Sequence, residues 1–225
     1  MIDSEGPAPN LASPSVSHAK LSEQFRPTVL SVIVLTLLTG CAFPLLLVAI
    51  GRLRFPRQAG GSLIRRDGVV IGSKLIGQEF TRPEYFQSRP SAAGNGYDGT
   101  ASGGTNLGPN NPKLKDGAAG FAGIRQLAEA YRKSNGLGPH APIPIDAVTR
   151  SGSGLDPDIS LANALLQVPR VARARGLGEG VVRRLVAEHA EGRQIGFLGN
   201  PRVSVLELNL ALNQLQNQAR PPSSH

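Results

Sequence analysis

The sequence predicts an α+β protein, a single N-terminal transmembrane helix followed by one mixed soluble domain, and three observations carry that prediction. Residues 28 to 51 read TVLSVIVLTLLTGCAFPLLLVAIG, a run of 24 residues that holds 17 apolar side chains and no charge. Further on, Asp67-Gly68 separates two β-capable runs, LIRR and VVIG, which is a hairpin signal because both turn residues tolerate positive φ. The remainder shows helical periods that do not alternate regularly with strands, as a doubly wound parallel sheet would require.

Taken in chain order, residues 1–26 are rich in Pro, Ser and Ala without a hydrophobic period and read as a disordered tail. Residues 27–51 form the membrane helix. As a helix the uncharged run is about 36 Å long, enough to cross a hydrocarbon core with some tilt. It is too long for the apolar core of a signal peptide, and too free of charge for a buried soluble helix. Gly40 and Pro44 are tolerated there, and the small polar edge of Thr36, Thr39 and Gly40 is placed to meet a partner helix. Arg52, Arg54, Arg57, Arg65 and Arg66 follow the span, against Lys20 and Arg26 before it, and by that count alone the large domain lies in the cytoplasm.

The soluble domain occupies residues 52–218, with 219–225 a C-terminal tail. After the hairpin, Leu75 and Ile76 are read as a further short strand. Residues 87–117 are too dense in Gly, Asn and Pro for regular elements and read as a long ordered loop or lid. A helix follows over 118–134, with Ile124, Leu127, Ala128 and Tyr131 on one face and Asn135-Gly136 as its stop. Asp156-Pro157 reads as an N-cap with proline at the first helical position, and Pro169 as a break or kink before VPRVARAR, which stops at Gly176. One more helix is expected over 180–191. The last element opens on Ser204-x-x-Glu207, a capping box, with Leu208, Ala211, Leu212 and Leu215 on one face.

Composition narrows the function classes. The formal charge of +8 and pI near 10.4 invite an acidic partner, whether anionic lipid, acidic protein or polyanion. Against nucleic acid stands an aromatic content of only 4%, with no Trp to act as a stacking platform. The single cysteine, Cys41, excludes an intramolecular disulfide and any multi-cysteine metal site.

No catalytic site is found among the motifs, and whether the chain is an enzyme in its own right stays open. In ASGGTNLGPNNPKL, residues 101–114, Gly103 and Gly108 have the spacing of a phosphate-gripping loop, but Pro109 has no N–H to offer and Lys113 arrives too late. His18, His140, His189 and His225 show no i, i+4 pair, so no metal site is predicted. Ser153, in SGSGL, lacks the frame of a nucleophile elbow and reads as a turn former. Asp156 and Asp158 are assigned to a helix start, where they complement its dipole. Arg170, Arg173 and Arg175 make a basic helical stretch, either a solvated face or a contact for phosphate or acidic protein.

The motifs point to a family. The mid-helix TG and PLL, QAGGSLI at 58–64, SKLIGQEF at 73–80 and YFQSRPSA at 85–92 resemble the KdpC family, an accessory component of the potassium-transporting P-type ATPase. ASGGTNLGPNNPKL, SGSGLDPDIS at 151–160, QVPRVARARGL at 167–177 and VSVLELNLAL at 203–212 continue that resemblance in the same order over residues 26 to 217. It implies a non-catalytic component of an ATP-driven, high-affinity potassium uptake pump in a prokaryotic plasma membrane. The implied partners are a channel-like potassium-binding subunit, a P-type catalytic subunit and membrane lipid, with no nucleic acid. It implies roles in stabilising the complex and, as a catalytic chaperone, in raising the ATP affinity of the catalytic subunit. ATP, shared with that subunit, is the one cofactor implied, with Gln167 as a nucleotide contact and Arg170 and Arg173 assisting through phosphate. Gln167 also reads as a helix-surface or interface residue. The family places its soluble domain outside the cytoplasm, against the arginine count, and its members have a much shorter N-terminal tail. A membrane-tethered polyanion binder is the alternative from another class, and a membrane-anchored hydrolase would need a nucleophile and base that the motifs do not supply.

Overall fold

A computed structural model describes residues 21–219, in two units that divide between Ala59 and Gly60. The expected tails fall mostly on residues 1–20 and 220–225, which lie outside the described residues. Residues 21–26, however, are helical and belong to the first element rather than to the tail.

The first unit is one long helix. Helix α1 runs Leu21–Leu37, a π-helical turn occupies Leu38–Ala42, and α2 continues over Phe43–Arg54. Pro44 explains the turn: its ring clashes with the carbonyl four residues back and it offers no N–H, so the ladder before it shifts register. The N–H of Phe43 accordingly donates to the carbonyl of Leu38, five residues back. The whole of Ser22–Arg54, 33 residues, is long and apolar enough to cross a membrane, and none of it is buried within the chain. A single turn, α3 (Pro56–Ala59), closes the unit.

The second unit is α+β. It opens on the expected hairpin, β1 (Leu63–Arg66) and β2 (Val69–Ser73), antiparallel, with Asp67 at φ +51° and Gly68 at φ +79° in the turn. The register shifts between Ile64 and Arg65, leaving Ile71 as the extra residue of a bulge, and its carbonyl is taken up by Gln78 Nε2 at 2.8 Å. Leu75 and Ile76 do not form a strand. The chain turns back there through a lone bridge between Ser73 and Ile76.

From Lys74 to Asn111 the backbone is irregular, and within the expected loop one short helix, α4 (Pro112–Asp116), is capped by the Asn111 side chain. Helix α5 (Ile124–Asn135) starts later than the sequence pattern suggested, because Ala118 and Phe121 exchange backbone hydrogen bonds in a tight turn and Gly123 takes the N-cap position. A 3-10 turn at Ile145–Ala147 precedes β3 (Asp158–Ser160).

Asp156-Pro157 does not start a helix: Pro157 passes its carbonyl to the N–H of Val205, and β3 pairs with β5 (Arg202–Ser204). Helix α6 (Leu161–Arg175) begins four residues beyond the expected start, with the Ser160 hydroxyl accepting from the N–H of Asn163. It also runs unbroken through Pro169, since packing on both sides outweighs the one lost ladder bond. Helix α7 spans Glu179–Glu188, β4 Ala190–Glu191, and α8 Val205–Ala219.

The strand order β3-β5-β4 is antiparallel throughout, and α6, α7 and α8 build the core with it. Phe86, Ile159, Val168, Val171, Val186, Leu208 and Leu212 are at its centre. A smaller cluster of Tyr131, Ala147 and Val148 seats α5 against Leu166 of α6. The capping box at the start of α8 is not made. The Ser204 hydroxyl is buried with no hydrogen-bond partner among the described residues, and Glu207 turns to Lys74 at 3.3 Å.

Candidate functional site

The irregular segment from Thr81 to Pro90, a strap, lies across α6 and α8 and is held there by side chains in place of a neighbouring strand. Asn209 of α8 accepts from the N–H of Phe86 (2.8 Å) and donates to its carbonyl (2.9 Å). Gln167 of α6 does the same for the next residue, accepting from the N–H of Gln87 (2.7 Å) and donating to its carbonyl (3.1 Å). Two carboxamides on two helices thus satisfy both backbone groups of consecutive residues, which a buried irregular segment must otherwise leave unpaired.

Gln167 is fully buried, at 0% exposure. Its second amide hydrogen goes to Asn163 Oδ1 (2.9 Å), and its oxygen also accepts from Arg170 Nη2 (2.6 Å). A carboxamide has two donors and two lone pairs, so all of its capacity is used inside the chain. Asn163 extends the network, accepting from the Tyr131 hydroxyl at 2.7 Å and donating to Asp146 at 3.0 Å. Asp146 in turn accepts from both the N–H and the hydroxyl of Ser160, fixing the start of α6. Burial pushes the Tyr131 phenol well above its ordinary pKa, which keeps it a donor.

The three arginines part company. Arg170 is only 8% exposed; it donates to the carbonyls of Pro83 (2.6 Å) and Tyr85 (2.9 Å), to Asn135 Oδ1 (2.9 Å) and to Gln167. Among the described residues no carboxylate pairs with it, and burial lowers its pKa without bringing deprotonation near neutrality. Arg175 is also buried, donates to the Glu84 carbonyl (2.6 Å), and lies 4.9 Å from the ring centre of Tyr85, over which Arg82 also sits at 5.4 Å. Arg173 alone is exposed. The reading of all three as a solvated basic face therefore fails for Arg170 and Arg175, because neutral carbonyls of the strap draw their guanidinium groups inward. The polyanion alternative loses those two charges with it.

The glycine-rich stretch is scaffold. The N–H of Gly103 donates to the Ser153 carbonyl at 2.9 Å, so it is not free for phosphate. Ser153 uses its hydroxyl to accept from Leu155 N–H (3.1 Å), as a turn former does. Gly154, at φ +69°, is packed so closely that a Cβ there would sit 2.6 Å from Ala93 N and 2.7 Å from the Gly103 carbonyl. Arg89 binds Asp156 at 2.7 Å, and Arg150 lies 4.2 Å over the Phe121 ring. A cleft of about 490 Å³ runs beside the strap, bordered by Glu79, Gln87, Tyr97, Tyr131 and Arg150. Tyr97 faces inward there, donating to the Arg89 carbonyl at 2.5 Å, and burial pushes its pKa up to about 12.

The resemblance pointed to Gln167 and the basic stretch to Arg170, but neither pointed to Asn163, Asn135 or Asn209 as members of this network. A signal existed for Asn209. It sits on the core face of α8, four residues from Val205 and three from Leu212, where an unpartnered amide would be costly.

These features define a class: a membrane-anchored α+β domain whose buried polar residues are spent on internal architecture, with no assembled nucleophile and base among the described residues. Comparison then gives the family. The family model described as "KdpC: K+-transporting ATPase, c chain" matches residues 25–214. A protein from Mycobacterium tuberculosis named "Potassium-transporting ATPase KdpC subunit" is 49% identical over 195 residues, covering 87% of this chain and 100% of its own. Identically named proteins from Koribacter versatilis (51%, 86% of this chain and 96% of theirs) and Sorangium cellulosum (54%, 84% and 96%) are similar to the same extent. The chain belongs to the KdpC family.

Proposed function

We propose that this chain is the accessory KdpC-type component of a potassium-transporting ATPase, anchored in a prokaryotic plasma membrane by the single helix Ser22–Arg54. The observation that carries this reading is near-half identity, over almost the full length of each relative, to proteins that bear that name. The sequence holds no DKTGT phosphorylation motif, so the phosphorylated catalytic subunit is a separate chain, as is the channel-like subunit that binds potassium. The soluble domain lies outside the cytoplasm, as the resemblance implies, and its role is assembly: it presents a surface whose shape is fixed from within.

The hydrogen-bond shell of Gln167 supports the structural reading of that residue. Contact of Gln167 or Arg170 with ATP requires the strap to leave α6, giving up the bonds to Gln87, Pro83 and Tyr85. Exposed Arg173 needs no such change, but a domain outside the cytoplasm does not meet cytoplasmic ATP. Expression of the pump with and without this chain tests the reading. A tagged chain should bring down a P-type ATPase and a channel-like subunit in mild detergent, and potassium-stimulated ATP hydrolysis should disappear when the chain is omitted. A tagged chain that purifies alone overturns it.

A further inference from the structure

The turn joining β4 to β5 carries the sequence GRQIGFLGNP, and every residue from Glu191 to Pro201 is exposed. Its tip is a closed loop: Gln194 and Leu198 exchange backbone hydrogen bonds, each of 2.9 Å. On it stand Ile195, 83% exposed, Phe197, 69% exposed, and Leu198. Ile195 has φ +53°. Positive φ is uncommon for any residue with a Cβ and a genuine outlier for a β-branched one. Such a conformation persists where surroundings over-determine it, and here none of the described residues buries the tip to do so. Gly196 (φ +83°) and Gly199 (φ +79°) hold positive φ at no steric cost, and Ile195 holds a third such position against its own Cβ. Charge adds a direction: Arg193 is the only charged residue from Gly192 to Pro201, and among the described residues no carboxylate pairs with it.

We propose that this tip is a protein-docking element that seats Ile195, Phe197 and Leu198 in an apolar pocket with a carboxylate at its rim, on a partner subunit of the pump. The proposal rests on the accessory-subunit reading above. A protein pocket is favoured over a bilayer because a fluid apolar phase accepts these side chains in any arrangement and has no use for a strained, fixed backbone. A pocket selects one arrangement, and Arg193 supplies the complement to its rim.

The test uses the assembled pump. The triple variant Ile195→Ser, Phe197→Ser, Leu198→Ser alters exposed positions only, and its thermal midpoint should match wild type. Recovery of the partner subunits on the tagged chain should fall about tenfold or more, as loss of a central apolar anchor does. Ile195→Gly separates anchor from backbone: relief of positive φ should raise the midpoint while recovery still falls. Equal recovery with the triple variant overturns the proposal. If a polarity-sensitive dye on Phe197→Cys, in a Cys41→Ala background, also reports burial when the chain alone is placed in lipid nanodiscs, the bilayer is the occupant instead. Should the wild-type chain itself fail to recover partners, the accessory-subunit reading is what fails, and the two failures are thereby distinguished.

Discussion

The carboxamide of Asn209 exchanges two hydrogen bonds with the backbone of Phe86, at 2.8 and 2.9 Å, across 123 residues of sequence. Both residues are almost wholly buried, and the pairing ties the irregular strap to the last helix of the domain. Asn209→Leu keeps the branched shape but orphans an N–H and a carbonyl with no route to water. A loss of about 2–4 kcal/mol is expected from two such groups. Urea unfolding of the variant beside wild type checks it, and Asn209→Asp should retain the acceptor and lose the donor.

Arg170 stands as a buried cation whose described partners are all neutral acceptors. Its removal therefore strands the carbonyls of Pro83 and Tyr85 and the oxygen of Asn135, and takes one of two donors from the oxygen of Gln167. Arg170→Met should cost about 3 kcal/mol, and Arg170→Lys should recover only part, because an ammonium cannot reproduce the planar fork. Thermal melts of both variants, run together, measure the recovery.

Asp158 is the site of a pH effect. Burial disfavours its charge more than Arg202, at 3.0 Å, favours it, so its folded-state pKa lies above the ordinary carboxylate value. The folded chain then holds this proton more tightly than the unfolded one. The associated stability is complete below the unfolded pKa of about 3.9 and is lost as pH rises through the folded pKa. Asp158→Asn never ionises. Its thermal midpoint relative to wild type should be more favourable at pH 7 than at about pH 3.5, below that unfolded pKa, and scanning fluorimetry across that range reads the difference.

At Gly154 the constraint is steric. Ala93 and Gly103 crowd the place a Cβ would occupy, and the backbone is left-handed. Gly154→Ala should destabilise the domain by more than about 2 kcal/mol and loosen the 101–104 stretch first, since Gly103 is bonded to the adjacent Ser153 carbonyl. Hydrogen exchange at the Gly103 amide reports that loosening directly.

Much of the architecture was legible because it rests on short-range signals. The uncharged run, the Asp67-Gly68 turn and the apolar face of α5 each declare themselves over a short stretch of chain. What could not be read is long-range. Asp156-Pro157 has the local chemistry of a helix start, but pairing of β3 with β5, over forty residues later, outweighs it. Pro169 has the local chemistry of a break, yet α6 is buried along Asn163, Ala164, Gln167, Val168 and Val171, and that packing carries the helix through. The arginines misled for the same reason. Nothing near Arg170 in sequence reveals that the carbonyls of Pro83 and Tyr85 receive it.

The most direct test of the account is the apparent KM for ATP, measured together with subunit recovery and thermal midpoint, of the potassium-stimulated pump carrying Gln167→Ala. If Gln167 is a clamp on Gln87, the variant lowers the midpoint and the yield of complex, while the complex that does assemble keeps a wild-type KM. A raised KM in a complex of undiminished yield and midpoint would contradict it, and would return Gln167 to the nucleotide.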